Sequence, residues 1–144
     1  MATAVASHQV SYDAHVAADL TNMAVARDAL VDALDECSWS PEDAFRVLIC
    51  ADEAMANALD HGSDTAGAIE IAFRVDAAAA AVLITDHSSD APDTPSSPEA
   101  PAESCEHGRG LLLMRALSDR FRIWRRPTGT MVALDFRVAK AWAR

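Results

Sequence analysis

Glu53, Asn57 and His61 recur at intervals of four within Asp52-Glu53-Ala54-Met55-Ala56-Asn57-Ala58-Leu59-Asp60-His61-Gly62, and this spacing restricts the chain more than any other feature of it. On an α-helix each step of four advances about 400°, so the three side chains drift by only about 40° each and share a face. Met55, Ala58 and Leu59 lie off that line and turn toward a core. Gly62 then stops the helix, as a left-handed cap residue does. A carboxylate, an amide and an imidazole are thus stacked along about two turns. By spacing alone, the same pattern also describes the solvated face of an ordinary amphipathic helix.

The start of this helix is legible too. In Ser40-Pro41-Glu42-Asp43 the serine caps, the proline takes the first helical position and acids fill the first turn, so the helix runs from Pro41 to His61. Phe45, Leu48, Ala51 or Asp52, and Met55 mark its successive turns. An earlier helix, capped by Asp19 or Thr21, runs to about Leu34 on Met23, Ala26, Leu30, Val31 and Leu34. Before it, Val10, Tyr12 and Ala14 alternate with polar residues and predict a strand near residues 9–16; residues 1–8 show little pattern.

After a loop at residues 63–67, Ile69, Ile71, Phe73 and Val75 alternate with Glu70 and Arg74 in a half-buried strand. Asp76-Ala77-Ala78 turns the chain into a second, more apolar strand, Ala81 to Thr85, paired antiparallel to the first and ending at Asp86. Residues 87–106 differ in kind. They hold four of the six prolines (Pro92, Pro95, Pro98, Pro101) and no basic residue, so neither a helix nor a central strand fits them. Such a segment inside a compact domain reads as a lid at about residues 87–107. Gly108-Arg109-Gly110 then opens a helix from Leu111 to about Ser118, with Leu112, Met114 or Arg115, and Leu117 in turn. A strand follows at residues 120–124, a turn at 125–129 and a last strand at 130–138 with Val132, Leu134, Phe136 and Val138 on one face. Hairpins of strands with helices grouped apart predict an α+β fold, a two-layer sandwich of a mainly antiparallel sheet covered on one face by helices.

The chain of 144 residues is one domain's worth, able to bury about two thirds of its unfolded surface. Its apolar runs are short and broken by charge, so no membrane span is expected, and no basic segment leads into an apolar block as in a secretory signal. Cys37, Cys50 and Cys105 are odd in number and lack metal-like spacing, which suits a reducing cytoplasm; Cys37 and Cys50 read as small buried hydrophobes. The net charge of −10 is uneven: 20 of the 22 acidic residues precede residue 107, and nine of the 12 basic ones follow residue 106. The overall acidity argues against nucleic-acid binding, while the basic end can meet phosphate or an acidic partner or simply form a solvated face.

Together these polar groups suit a nucleotide. A helix that opens on Gly108-Arg109-Gly110 presents free backbone N–H groups and the positive end of its dipole, and glycine lets a phosphate approach. The side-chain carbonyl of Asn57 is a hard ligand for the magnesium ion of a triphosphate. Glu53, one turn away, can accept the proton of an attacking hydroxyl. Asp86, at the end of a buried strand, can accept from an adenine amino group. His87, Cys105 and His107 offer a less conventional alternative, a metal held across the lid.

These residues resemble the GHKL ATPases, the Bergerat-fold superfamily of gyrase, Hsp90, MutL and the histidine kinases, and within it the bacterial anti-sigma factor serine kinases. Glu53-x-x-x-Asn57-Ala58-x-x-His61-Gly62 matches the Asn box, Asp86 the aspartate of the first glycine box, Gly108-Arg109-Gly110-Leu111 the second, and Gly129-Thr130 the final Gly-Thr. The match runs in order from about residue 12 to residue 138. It implies ATP and Mg²⁺ as cofactors: Asn57 as metal ligand, Glu53 as catalytic base, Asp86 reading adenine, the amides of Gly108, Arg109, Gly110 and Leu111 on phosphates, and Thr130 supporting the base through water. His61 falls on the family's histidine, with a cap or packing role equally open. The resemblance further implies a homodimer formed through the sheet, a sigma factor held away from RNA polymerase, and a STAS-domain anti-anti-sigma factor as the phosphorylated partner. A histidine kinase proper is disfavoured, since no dimerisation helix with a phosphorylatable histidine precedes the domain. The chain departs from the family pattern at Asp86-His87-Ser88-Ser89-Asp90, where both glycines of Asp-x-Gly-x-Gly are gone. That departure favours an alternative, an ATP-independent module that sequesters its partner stoichiometrically. A free-standing ATPase of the gyrase or MutL type is disfavoured, since the chain shows no transducer domain to use the ATP.

Overall fold

A computed structural model describes residues 8–62, 67–87 and 107–139, the side chains of His61, Gly62, His107 and Gly108 excepted. The lid segment, with Ser88, Ser89, Asp90 and Cys105, therefore lies outside the described residues, apart from its end residues His87 and His107. The element order is β1 (Val10–Ala17), α1 (Leu20–Glu36), α2 (Pro41–Gly62), β2 (Ala68–Val75), β3 (Ala79–Asp86), α3 (His107–Leu117), β4 (Arg120–Arg126) and β5 (Gly129–Arg137). The strands form one sheet in the order β1-β2-β3-β5-β4 with every neighbour antiparallel. Because side chains alternate across a strand, Ile69, Ile71, Phe73 and Val75 of β2 and Ala80, Val82 and Ile84 of β3 all face the helices and are buried. The opposite face of the sheet carries Asp13, His15, Glu70, Arg74, Ala81 and Leu83. The fold is the α+β sandwich that the sequence predicts. Among the described residues no helix is long and apolar enough to cross a membrane.

Capping follows the sequence closely. Asp19 accepts from the Asn22 amide at 2.7 Å, and Ser40 Oγ accepts from the Asp43 amide at 3.2 Å. The α1–α2 connection is closed by Trp39, whose indole N–H donates to the carbonyl of Asp76 at 2.7 Å, tying it to the β2–β3 turn.

Three features differ from the pattern reading. In α2 Ala51, Met55 and Ala58 are buried as the spacing predicts, but the inward face also takes in Val47, Cys50 and Ala54, while Phe45 is exposed. Small residues face the sheet because they let the helix axis approach it. Helix α3 begins at His107, not after the glycines, which shifts its inward face to Gly110, Leu111 and Met114 and leaves Leu112 exposed. Strand β4 continues to Arg126, so Arg125 belongs to the sheet rather than to a turn.

Candidate functional site

Asp86 ends β3 on the helix-facing side and is only 3% exposed. Its carboxylate accepts a hydrogen bond from the backbone N–H of Thr130, at 3.1 Å, across the start of β5. That strand begins at Gly129 with φ +141°, a conformation L side chains rarely adopt. A Cβ there would stand 1.8 Å from the carbonyl oxygen of Asp86. The Gly129-Thr130 pair is thus a steric device. Glycine lets β5 pass the end of β3 at backbone contact, and this delivers the next amide to the buried carboxylate.

The helical wall is built by close approach as well. A Cβ on Gly110 would lie 2.6 Å from Oε2 of Glu53, so the carboxylate end of Glu53 rests against the first turns of α3. Four residues on from Glu53, Asn57 is half-buried and, with Asp86, Leu111, Ile123, Arg125 and Thr130, lines a cavity of about 140 Å³ between α2 and the sheet. That volume takes one ring-sized group; whole ligands usually occupy about 300 Å³ or more. On the other side of Asp86, a recess of about 250 Å³ is bounded by Thr85, His87, Trp124, Gly129 and Met131.

The structure therefore brings Asn57, Asp86, Leu111 and Thr130 together around one cavity, with Glu53 next to it at the α2–α3 contact. Arg109 is exposed in the first turn of α3, where backbone N–H groups have no partner within the helix. Gly108 is in the same turn, and Leu111 contributes to the cavity wall one turn further in. His61 occupies the last turn of α2. His87 stands on the open face of the sheet near His15 and Glu70. Arg125, which belongs to the basic end able to meet phosphate but was expected in a turn, lies on the cavity wall instead. Its place on the Ile123 face follows from alternation, but a cation at a core-facing position reads as the end of a strand. Its Nε is buried and makes no hydrogen bond among the described residues.

Behind the cavity wall, Cys50 is fully buried, which pushes its thiol up to about 12; Arg46 opposes that shift and Glu53 adds to it. Two turns earlier, Asp43 is held by Arg46 at 2.9 Å and by the Ala139 amide at 3.2 Å. Burial pushes its carboxyl up, but the bonds from Arg46, Ala139 and Ser40 outweigh that and hold it below the usual carboxylate value. Arg46 also donates to the carbonyls of Leu117 and Arg137, both at 2.8 Å, so the start of α2 clasps the ends of α3 and β5.

A family model described as the histidine kinase-like ATPase domain matches residues 16–136. The chain belongs to this family. The five-stranded antiparallel sheet and the helices on one side of it are consistent with that domain. Among solved structures, the RsbU and RsbW domains of Rv1364c from Mycobacterium tuberculosis align over 92% of this chain with a TM-score of 0.65 and 18% identity. The chain spans 33% of that structure's length, and at this identity the likeness is one of fold. No curated protein matches the chain in sequence.

Proposed function

We propose that this histidine kinase-like ATPase domain is an ATP-binding anti-sigma factor with serine-protein kinase activity, which sequesters a sigma factor and phosphorylates a STAS-domain anti-anti-sigma factor. The observation that carries the proposal is the joining of strand ends around Asp86. Its buried carboxylate is fixed by the Thr130 amide, Asn57 lines the same cavity, and Glu53 rests against the first turns of α3. The RsbW domain in the structural neighbour supports the partner class.

In this reading Asp86 accepts from the adenine amino group and Thr130 supports the base through water. The first-turn amides of α3, with Gly108, Arg109 and Gly110, receive phosphate. Asn57 suits Mg²⁺ chemically, since it offers a neutral hard oxygen at the cavity edge, one helical turn from the carboxylate of Glu53. When bound, the ion neutralises charge on the phosphates. Glu53 takes the proton of the partner's serine as its oxygen bonds to the γ-phosphorus and the bond to ADP breaks. Two copies meet through the open face of the sheet.

Calorimetry of ATP with Mg²⁺ tests the site. Wild type binds, Asn57→Ala does not, and a STAS partner then gains phosphate on serine only with the wild type. Absence of binding by a folded wild type overturns the kinase reading. Two observations favour the alternative of an ATP-independent binding module. The cavity is small and carries the Arg125 cation, and the segment after Asp86 lacks both glycines. That module captures its partner equally well with and without nucleotide.

A further inference from the structure

We propose that His15, Glu70 and His87 form a binding site for a divalent transition-metal ion of the zinc class on the open face of the sheet. The three come from separate places in the sequence: β1, β2 and the residue after β3. Residues His15 and Glu70 are direct cross-strand partners, and Glu70 in turn faces Thr85, two residues before His87. All three side chains project from the face away from the helices, on a backbone held by strand ladders on both sides of β2.

Separations among the three groups carry the inference. Nδ1 of His15 lies 3.9 Å from one carboxylate oxygen of Glu70, and Nε2 of His87 lies 3.6 Å from the other. Both exceed hydrogen-bond length, so neither imidazole is docked on the carboxylate. One donor atom from each residue fits within a span of 4.8 Å, and the two rings stand 6.0 Å apart between centroids at 35°. Donors bound at about 2.0–2.1 Å in a tetrahedral shell lie roughly 3.4 Å apart. The observed separations need only small χ rotations to reach that figure. The three donor atoms are therefore close enough together for one ion to reach all of them.

The donor set selects the ion. Two imidazoles and a carboxylate suit zinc and its neighbours in the transition series, whereas magnesium and calcium prefer oxygen alone. Three protein ligands leave a fourth position for water or for a group from a bound partner. The site does not depend on the nucleotide reading. Asp86 points to the helix side and His87 to the other, so an ion here fixes the backbone immediately after Asp86 from outside the cavity.

The test uses the full chain, stripped of metal and free of nucleotide. Zn²⁺ is titrated in competition with a chromophoric chelator, and Co²⁺ uptake is followed by visible absorption. One ion per chain is expected, with the d–d bands of a tetrahedral cobalt site. His15→Ala, His87→Ala and Glu70→Gln each weaken uptake by about tenfold or more, since even outer partners of metal ligands are worth 10–100-fold. All three sites are exposed, so far-UV circular dichroism and the metal-free melting temperature stay at wild-type values. His87→Cys keeps uptake and adds a thiolate-to-cobalt charge-transfer band, which only a ligand position gives. Cys105→Ser binds as wild type does. No uptake by the wild type, or uptake that persists in the His15→Ala/His87→Ala double variant, overturns the proposal.

Discussion

At Gly129 and Gly110 the same added methyl group meets two kinds of obstacle. At Gly129 it meets backbone, 1.8 Å from the Asp86 carbonyl and at a positive φ, so nothing cheap can move. We expect Gly129→Ala to cost about 3 kcal/mol or more by urea denaturation and to detach the Thr130 amide from Asp86. At Gly110 it meets the far end of a flexible side chain, Oε2 of Glu53 at 2.6 Å. Gly110→Ala is therefore expected to fold with nearly unchanged stability, helped by about 1 kcal/mol of helix propensity, while Glu53 is displaced and any phosphoryl transfer falls. The contrast is read by measuring stability and activity on both variants. That Asp86 and Thr130 meet at strand ends was legible in the sequence, because an apolar strand ends at Asp86 and the last strand opens on Gly129-Thr130. Arg125 was not, since periodicity treats a charged residue on a core-facing position as a boundary.

Among the elements, α2 is held at its start by the Asp43–Arg46 pair and its bonds to α3 and β5. Arg46→Ala leaves a carboxylate that is nearly buried without its partner, and the expected loss is about 3 kcal/mol, read by denaturant midpoint. The pH dependence follows from the sign of the Asp43 shift. Its folded value is depressed, so its contribution is fully present above the ordinary carboxylate value of about 3.9 and fades as pH falls through the lower folded value. Acid titration of unfolding stability loses this contribution in Asp43→Asn. Which face of α2 turns inward was only partly legible. Ala51, Met55 and Ala58 turn inward as the spacing predicts, but Phe45 is exposed, and Ala54 faces the sheet because the close approach that makes the cavity needs small side chains. Likewise the start of α3 was hidden, because Gly108 and Gly110 read as loop until the contact of Gly110 with Glu53 is seen.

For the molecule as a whole, Cys37 and Cys50 are closed to solvent, and burial raises both thiols above their ordinary value, Cys50 to about 12. They sit in one core made by α1, α2 and the sheet, so iodoacetamide should reach them only through global opening, and peptide mapping at rising urea should show the two labelled together. On the open face, Leu83→Glu places a charge where the proposed homodimer would close, and sedimentation equilibrium should then give monomers. Strand pairing and the two-layer architecture were legible from alternation and hairpin turns; what an uncovered sheet face meets is not written in either. The two described tryptophans have a consequence of their own. Trp39 is anchored to the carbonyl of Asp76, before β3, and Trp124 borders the recess at Asp86, at the other end of that strand. Eight strand residues at about 3.3 Å each set the two ends of β3 about 23 Å apart. With the third tryptophan, Trp142, replaced by phenylalanine, one indole is thus placed to emit on the state of the core and the other on whatever occupies the strand ends, a fluorescent signal and its internal reference in the same molecule.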